Sequence, residues 1–541
     1  MNFSGTAARQ ILLRWLLPIA TGAMLAVALP PFNAGQLGWV ALIPLLFALE
    51  NCSLTESFRR GYIAGLVFFG ATVWWVIYTT EGGAPFAAAL SGVIALVAFL
   101  ALYFGAAGAW FSIVRKLLSK TDTDPAWRNL LVATVSSAGW GTLEWIRGKF
   151  LFGGFGWNGL AVTQHDAVPL IQFACFTGVY GVSALVCFLN FAFFQTIRRY
   201  VRNVGSETPL RRLSWEFYIA IVLLCAAFVH GLHEIRAGRD IEPAKVLQLA
   251  LIQGDIPQTL KFDPAQKAMI LDRYGSLTRK AIALQPQLII WPETATPEPL
   301  RYDPESFALA TNLAHEANAF LLTGTIDLTR LTTNQVEAFN GAILVRPDGS
   351  LGGIYHKIHL VPFGEYVPLR KIVPVLNWVT PITASFERGD TFTLFEESGL
   401  RFGAVICFED TLPEVYREFV RPGADFMVNL TNDAWFKTSP AAEMHLANAI
   451  FRCAETRRPL VRCTNSGITC IVDQFGFVDP RTRLPAFTDG SLNCELAVPP
   501  PSTSTFYTLH GDVFIAMCSA IVGVTLLVAW RTGVIRLRSQ L

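Results

Sequence analysis

Charged side chains are scarce in this sequence. Of its 541 residues only 16% are Asp, Glu, Lys or Arg, whereas 52% are hydrophobic, and the mean hydropathy is +0.41. Soluble globular chains carry about 25% charged residues, so a deficit over this length indicates membrane spans. The net charge of +2 at pH 7 is too small to favour nucleic acid as a partner.

The ten cysteines show neither a metal-binding nor a disulfide pattern. No CxxC pair and no zinc-finger spacing occurs, and His356, His359 and His445 do not form a ligand set. We therefore predict no metal site. Cys463 and Cys470 flank a predicted turn and could pair in an oxidising compartment, although buried free thiols are the favoured interpretation.

Eight apolar stretches run through the chain, and most are long enough for a helix to cross a bilayer, which needs about 20 residues. They are residues 11–30, 37–50, 62–79, 86–114, 129–146, 168–197, 215–234 and 511–530. The second is short. The first could instead be a signal peptide, an alternative that is disfavoured because more spans follow at once.

Basic residues are distributed unevenly between these stretches. If all eight cross, sixteen Lys and Arg residues lie on one side, and the opposite short loops carry only Arg147 and Lys149. The sixteen are Arg9, Arg14, Arg59, Arg60, Arg115, Lys116, Lys120, Arg128, Arg198, Arg199, Arg202, Arg211, Arg212, Arg531, Arg536 and Arg538. The positive-inside rule then predicts cytoplasmic termini and an outer location for residues 235–510.

Residues 240–505 have the pattern of an α/β domain. Short β-branched runs such as "KVLQLALIQ" and "PQLIIWPE" alternate with helix-like stretches such as "PAQKAMILDRYGSLTRKAIAL". The stretch "NGAILVRPDGSLGGIYHK" is typical of a β-hairpin. We predict a membrane domain of seven transmembrane helices in 1–234, an extracytoplasmic catalytic domain in 235–505, and a last span with a cytoplasmic tail in 506–541.

Several predicted strands end in polar residues. "LIIW" runs into Glu293, "AVI" into Cys407, and "MVNL" into Asn432 and Asp433. Open α/β sheets gather their functional sites at the carboxyl ends of strands. We therefore expect Glu293 and Cys407 to lie close together although they are distant in the chain.

Three segments supply what a cysteine nucleophile needs, which is a base and a positive or donor group where negative charge develops. They are "WPET" with Glu293, "YHKIHLVPFGEYVP" with Lys357 and Glu365, and "CFED" with Cys407. Lys357 could lower the pKa of the thiol and stabilise an oxyanion, with the backbone N–H of Phe408 as a second donor. Glu365 could hold Lys357.

Each of these residues also has a structural interpretation. Cys407 could be an inert buried thiol, because the carboxylates of Glu409 and Asp410 should keep a nearby thiol protonated. Glu293 could cap a helix, and Lys357 could lie on an exposed strand. Spacing alone does not decide between these alternatives.

The order Glu, Lys, Cys and the local sequences around them resemble the nitrilase (carbon–nitrogen hydrolase) superfamily. With membrane spans on both sides and "LVPFGEYVP", the chain is similar to the membrane-embedded branch of that superfamily, the apolipoprotein N-acyltransferases. The resemblance covers the whole chain, including "GDIPQTLKFD" and "TNDAWF". It implies a multi-pass α-helical membrane domain of about eight spans joined to an αββα sandwich.

The resemblance also implies a role for each site residue. Glu293 would be the general base, Lys357 the oxyanion stabiliser and Cys407 the nucleophile, with Glu365 and Glu409 as auxiliary groups. Phe408 is a further auxiliary residue, standing where the family often has tyrosine. The residues that the resemblance makes candidates for substrate contact are Phe262, Tyr366, Trp435 and Trp157.

The implied reaction is a ping-pong acyl transfer that needs no cofactor. Cys407 would take the sn-1 acyl chain of a phospholipid, expected to be phosphatidylethanolamine, as a thioester. The α-amine of a diacylglyceryl-modified N-terminal cysteine of a lipoprotein would then receive it. The enzyme is expected to be a monomer in the bacterial inner membrane, with its catalytic domain in the periplasm.

Two other functions remain open from the sequence. A membrane-tethered amidase of the nitrilase type would use the same three residues and release a free acid, and a non-catalytic lipid-binding protein would not need them. The stretch "WFKTSPAAEMH" (435–445) departs from the family in lacking glycine, so the resemblance says least about this substrate loop.

Overall fold

A computed structural model describes residues 10–119, 125–203, 215–332, 335–368, 385–501 and 504–535. Six of the sixteen basic residues counted above, Arg9, Lys120, Arg211, Arg212, Arg536 and Arg538, lie outside these ranges. The chain forms two compact units. The first comprises residues 1–74, 93–236 and 510–541, and the second comprises residues 75–92 and 237–509.

The first unit is helical. Its helices include α1 (Leu17–Val27), α2 (Ile43–Ala48), α3 (Leu54–Thr72), α4 (Phe86–Leu118), α5 (Pro125–Lys149), α6 (Val179–Asn203), α7 (Trp215–Arg239) and α12 (Val513–Arg531). Among the described residues, four helices are long and apolar enough to cross a membrane: α4, α6, α7 and α12. A fifth results if α3 and the short helical turn after it are one bent span.

The remaining apolar stretches of the sequence form shorter or more polar elements. Residues 12–27 and 35–48 are apolar helical segments below the spanning length, and residues 168–177 form another short segment. The structure therefore supports about four apolar helices that could span a membrane, and the count of eight remains a prediction.

The second unit contains two six-stranded mixed sheets. The first sheet has the order β12-β1-β2-β3-β4-β5 and the second has the order β11-β10-β9-β8-β7-β6. The strands of the first are β1 (Lys245–Gln253), β2 (Leu288–Trp291), β3 (Phe320–Thr332), β4 (Gln335–Val345), β5 (Leu351–His356) and β12 (Gly490–Val498). Those of the second are β6 (Leu394–Glu397), β7 (Leu400–Ile406), β8 (Phe426–Thr431), β9 (Leu460–Thr464), β10 (Cys470–Val472) and β11 (Val478–Arg483).

The two sheets repeat one plan. Each has a parallel centre, β1-β2-β3 in one and β7-β8-β9 in the other, and antiparallel strands on both flanks. Parallel strands need long crossovers, and these are the helices α8 (Lys267–Ile282), α9 (Pro304–Ala317), α10 (Pro413–Val420) and α11 (Ala441–Thr456). The sheets pack face to face with helices outside, which is the nitrilase-like αββα arrangement.

Several strands of this unit appear in the sequence as continuous apolar runs because they are buried. Every residue of β2, β8 and β9 is buried, as expected for strands covered on both faces. A core of Trp291, Tyr274 and aliphatic residues fills the space between the first sheet and α8 and α9. The parallel strands β2 and β7 are followed at their carboxyl ends by Glu293 and Cys407. In α/β sheets, functional sites gather at these ends of the strands.

Candidate active site

Glu293 lies in the turn that follows β2, and a glycine on the next strand makes room for it. A Cβ atom on Gly324 of β3 would lie 2.5 Å from the carbonyl oxygen of Pro292 and 2.6 Å from Cα of Glu293. The backbone N–H of Ala295 donates to the carbonyl of Gly324 at 2.8 Å. Gly324 therefore fixes how closely the Glu293 turn approaches the sheet.

Lys357 follows β5 and lies between two carboxylates. Its Nζ is 2.9 Å from Oε1 of Glu365 and 3.9 Å from Oε1 of Glu293, and its side chain is only 1% exposed. The amide nitrogen of Asn340, on β4, donates to both carboxylates, at 2.7 Å to Glu293 and 2.8 Å to Glu365. The Lys357 ammonium and the Asn340 amide thus stabilise two buried carboxylates that would otherwise repel each other.

Cys407 occupies the first position of a 3-10 turn at the end of β7, with φ of +56°. A non-glycine residue in this region costs about 1–3 kcal/mol, and such residues persist where their surroundings hold them. The side chain of Asn429 on β8 donates to the carbonyl of Cys407 at 2.8 Å. Cys407 as a whole residue is partly exposed, although burial is the main influence on the pKa of its thiol.

Glu409 joins the Cys407 turn to the segment that carries Lys357. Its carboxylate accepts from the backbone N–H groups of Ile358, His359 and Ile406, each at 2.9 Å. The hydroxyl of Tyr355 adds a fourth donor at 3.0 Å. Glu409 is fully buried, and burial raises its pKa to about 7 although Lys357 and the three backbone N–H groups lower it.

The two carboxylates next to Cys407 in the sequence are therefore not the ones that act most on its thiol. Glu409 binds the donors just described, and Asp410 pairs with Arg462 and His445. Burial is the main reason that the pKa of the thiol is raised, and Glu293 raises it further. Lys357 lowers this pKa, so the offset expected from the sequence exists but is incomplete. The thiol is protonated at rest.

The same surroundings make Glu293 a stronger base and keep Lys357 charged. Burial raises the pKa of Glu293, while Lys357 and the Asn340 hydrogen bond lower it. Burial lowers the pKa of Lys357, but Glu365, Cys407 and Glu293 raise it well above its usual value. Oε2 of Glu293 is buried and has no hydrogen-bond partner among the described residues. This oxygen is available to take a proton.

A second buried lysine supports the Glu293 turn. Nζ of Lys261 donates to the carbonyl of Glu293 at 2.7 Å, and the side chain is 2% exposed. Burial lowers the pKa of Lys261 to about 8. The segment that carries Lys261 is held at its other end, where Asn432 donates to Gln258 at 2.7 Å.

The other residues singled out from the sequence lie in different settings. The ring of Phe408 is 5.5 Å from Nζ of Lys357. Phe262 is 48% exposed, and Tyr366 and Trp435 are partly buried, all in the second unit. Trp157 is buried in the first unit, 6.2 Å from the ring of Phe155. Their contact with substrate remains a prediction.

Trp75 is a buried aromatic residue of the 75–92 segment. It is 3% exposed and packs edge to face on Phe436 at 4.5 Å. Phe436 ends the 3-10 turn that contains Trp435, and Nζ of Lys437 lies 5.6 Å from the ring of Tyr78. Residues of the 75–92 segment thus support the loop after β8.

Sequence reasoning missed Asn340, Lys261 and Asn429. Asn340 and Asn429 are single polar residues inside buried apolar strands, "FNGAILV" and "FMVNLT", and a polar residue in such a place needs a partner. That signal was available. Lys261 gave none, because a lysine before "FD" is typical of an exposed loop. Cys463 and Cys470 form no disulfide, and the thiol of Cys463 donates to the carbonyl of Ile290 at 3.2 Å.

Comparisons with known proteins cover both parts of the chain. The model of the apolipoprotein N-acyltransferase N-terminal domain matches residues 21–192, and the carbon-nitrogen hydrolase model matches residues 248–490. An apolipoprotein N-acyltransferase of Geobacter metallireducens is 33% identical over 96% of this chain and 95% of its own length. That of Photobacterium profundum is 30% identical over 92% of both chains.

Among solved structures, a carbon-nitrogen hydrolase from Helicobacter pylori G27 matches 54% of this chain and 96% of its own, with 13% identity and a TM-score of 0.36. A mutant of the Nesterenkonia AN1 amidase, from the nitrilase superfamily, matches 52% of this chain and 97% of its own, with 17% identity and a TM-score of 0.34.

Proposed function

This chain belongs to the apolipoprotein N-acyltransferase family, and we propose that it transfers an acyl chain from phospholipid to the N-terminal amine of lipoproteins through a thioester on Cys407. The observation that carries this proposal is the near full-length match, 96% of the chain, to a relative of that name. The two family models match the helical part and the hydrolase part separately. A soluble amidase would account for only the second part.

In the first half-reaction, the sulfur of Cys407 attacks the sn-1 ester carbonyl of a phospholipid, expected to be phosphatidylethanolamine. Glu293 accepts the thiol proton through its unpartnered Oε2. The ammonium of Lys357 and the backbone N–H of Phe408 stabilise the oxyanion. The ester C–O bond then breaks, Glu293 returns the proton to the departing oxygen, and a lysophospholipid leaves.

In the second half-reaction, the α-amine of a diacylglyceryl-cysteine attacks the thioester carbonyl. Glu293 accepts a proton from the amine and gives it to the departing sulfur, so the free thiol is restored. The thioester conserves acyl-transfer potential and the amide product is stable, which gives the reaction its direction. In this cycle Cys407 is the one residue that is covalently modified.

The pKa directions agree with general-base catalysis rather than with a resting thiolate. A thiol whose pKa is raised needs its proton removed during attack, and a carboxylate whose pKa is raised is a better proton acceptor. Asn340 and Glu365 keep Lys357 and Glu293 at the distances given above. Glu409 keeps the Lys357 segment next to the Cys407 turn.

The remaining parts of the proposal concern location. We place the chain in the bacterial inner membrane as a monomer with eight spans, seven in residues 1–234 and one in 506–541. Both termini are then cytoplasmic and the catalytic domain, 235–505, is periplasmic. The uneven distribution of basic residues supports this orientation.

The test is to incubate the purified protein in lipid nanodiscs with a phospholipid that carries a fluorescent sn-1 chain. We expect a hydroxylamine-sensitive label on the Cys407 peptide by mass spectrometry, and transfer of that label to an added diacylglyceryl peptide. Cys407→Ala and Glu293→Gln should abolish the label. Cys494→Ala, which changes a partly buried thiol on β12, serves as the matched control and should keep it.

Label that appears elsewhere, or that leaves only as free fatty acid when the peptide is present, would contradict the proposal. The second of these results is the one expected of a membrane-tethered amidase.

A further inference from the structure

A buried group of four charged side chains lies behind the Cys407 turn. Asp410 belongs to that turn, Asp433 follows β8, His445 lies on α11 and Arg462 lies on β9. All four are at most 1% exposed. We call these four residues the quartet. None of them is needed for the chemical steps proposed above.

The contacts within the quartet converge on the two carboxylates. Nη1 of Arg462 donates to Oδ2 of Asp410, and Nη2 lies 3.2 Å from Oδ2 of Asp433. Nε2 of His445 lies 2.8 Å from Oδ1 of Asp410, and Nδ1 lies 3.1 Å from Oδ1 of Asp433. Each of the four carboxylate oxygens therefore has a nitrogen partner from either Arg462 or His445.

The quartet is electrically neutral when His445 is doubly protonated. Two carboxylates and one guanidinium leave a net charge of −1 if His445 is neutral, and zero if it is an imidazolium. An unbalanced charge buried this deeply is costly. A neutral imidazole also has a single N–H, so one of its nitrogens would turn a lone pair toward a carboxylate oxygen. Both arguments favour the imidazolium.

The charged groups that face His445 from the neighbouring elements agree with this state. The two carboxylates, Asp410 and Asp433, raise the pKa of His445, whereas burial and Arg462 lower it, and the net direction is upward. Tyr416 on α10 is neutral, because burial raises its pKa well above 10. On α11 itself, Arg452 pairs with Glu455.

One contact identifies the partner that Nδ1 of His445 would have without its proton. Nη2 of Arg462 lies 2.9 Å from Nδ1 of His445. With the imidazolium, both nitrogens are donors that point at Asp433. Once Nδ1 is deprotonated it becomes an acceptor for Arg462, and its lone pair faces Oδ1 of Asp433. Deprotonation thus exchanges the partner of Nδ1 and leaves Oδ1 of Asp433 without its donor, while Oδ2 keeps Arg462.

Loss of this donor to Asp433 would affect the site through the chain neighbours of Asp433. Asn432, the preceding residue, donates to Gln258 and accepts from Asn465 at 3.0 Å. A Cβ atom on Gly467 would lie 2.0 Å from Oδ2 of Asp433, so this segment packs directly on the carboxylate. On the other side, Asp410 is three residues after Cys407 in the same turn.

We propose that the His445 imidazolium is a positioning group that holds the Cys407 turn and the loop after β8 in the geometry needed for acyl transfer, and that its deprotonation loosens both. His445 contacts no reacting atom. The inference rests on the proposed function for its effect on rate, but not for its effect on the order of the turn. Because the pKa of His445 is raised, the support is complete below about pH 6.5 and is lost as the pH rises through the higher folded-state value.

The experiment measures amide hydrogen exchange in the peptide 403–412, corrected for the intrinsic pH dependence of exchange, in the full-length protein in nanodiscs between pH 6 and pH 9. Protection in the wild type should fall about tenfold with rising pH. The rate of thioester formation on Cys407, measured on the same samples, should fall in parallel at the high-pH end.

Three variants separate charge from structure. His445→Gln should lose protection at every pH and lower the acylation rate about 100-fold, since it leaves one carboxylate unbalanced. Asp433→Asn with His445→Gln restores neutrality and should recover about tenfold of that loss, with no high-pH decline. His315→Gln, on the exposed end of α9, should behave as the wild type.

The inference is overturned if wild-type protection does not change with pH, or if the double variant is no better than His445→Gln. If His445→Gln does not fold, the wild-type profile and the double variant decide. A pH-dependent turn without any thioester on Cys407 would support the quartet and contradict the proposed function.

Discussion

The two sheets contribute differently to the candidate active site. The turn after β2, the strand β4 and the segment after β5 supply Glu293, Asn340, Lys357 and Glu365, and two acceptor atoms there, Oε2 of Glu293 and Oδ1 of Asn340, have no partner among the described residues. The second sheet supplies Cys407 and the carboxylates of Glu409, Asp410 and Asp433, whose oxygens all have partners. Within the described part of the chain, the carboxylate of Glu293 thus has an unpartnered oxygen, whereas the three carboxylates of the second side have none.

Charged side chains therefore have different roles on the two sides of the site. On the first side, burial raises the pKa of Glu293, and the neighbouring acidic groups raise the pKa of Lys357. On the second side, charge is balanced within the quartet and fixes backbone geometry. Changes on the first side should therefore alter the chemistry directly, and changes on the second should act through position.

The largest effect is expected for Lys357→Met. It removes the ammonium that lies between Glu293 and Glu365, so two buried carboxylates remain with only Asn340 as a shared donor. We expect the rate of thioester formation to fall about 1,000-fold and the stability to fall by about 3–5 kcal/mol. Single-turnover acylation and thermal unfolding measure these effects.

The control for Lys357→Met is Lys267→Met, which removes a partly exposed lysine paired with Asp303 and Glu305 on the surface. Its stability should change by about 1 kcal/mol or less. Equal losses in the two variants would contradict the special position of Lys357.

Glu409→Gln should have the next largest effect and tests the connection between the two sides. The amide nitrogen of glutamine is a donor, and it would face one of the backbone N–H groups that the carboxylate now accepts from. We expect about a 100-fold slower acylation with little change in substrate KM. Glu495→Gln, on the exposed face of β12, should leave the rate unchanged.

Asn340→Leu should shift the pH dependence of acylation. Glu293 must be ionised to act as a base, so the rate should fall as the pH falls through its pKa, which burial places above the usual 4.5. The Asn340 hydrogen bond lowers that pKa, and its removal should move the acid limb to higher pH. An unchanged limb would show that Glu293 is not the base. Asn493→Leu, whose amide donates to Ala281, is the control.

The smallest effect is expected for Gly324→Ala, which changes only the approach of the Glu293 turn to β3. The added Cβ would meet the backbone of Pro292 and Glu293, so the turn must move by several tenths of an ångström. We expect about tenfold slower acylation. Gly490→Ala, where the nearest atom to the new Cβ is 3.8 Å away, should keep the full rate.

Much of this arrangement could be predicted from the sequence, because it depends on patterns along the chain. The strand "KVLQLALIQ" is β1, and "NGAILVRPDGSLGGIYHK" forms β4, a turn and β5. The order of Glu293, Lys357 and Cys407 follows from the motifs. The partners of Glu409 and Asp410 could not be predicted. The turn after β7 directs these two side chains to different partners, and most of those partners lie far away in the sequence.

The contacts within the quartet could not be predicted from the sequence for a similar reason. Asp410, Asp433, His445 and Arg462 come from four separate segments, and nothing in their spacing relates them. Arg462 lies within "LVRCT", a short apolar strand in which every residue is buried. A buried arginine in such a strand needs carboxylate partners, but the sequence does not say which ones.

The placement of β12 has a consequence for the order in which this protein matures. β12 is the last strand to be synthesised, yet it pairs with β1, the first, along nine residues. Until residues 490–498 emerge from the ribosome, β1 presents an open edge that other chains could extend. The nascent hydrolase unit therefore stays incomplete until almost its whole length has been made, and a chain truncated before β12 should aggregate rather than fold.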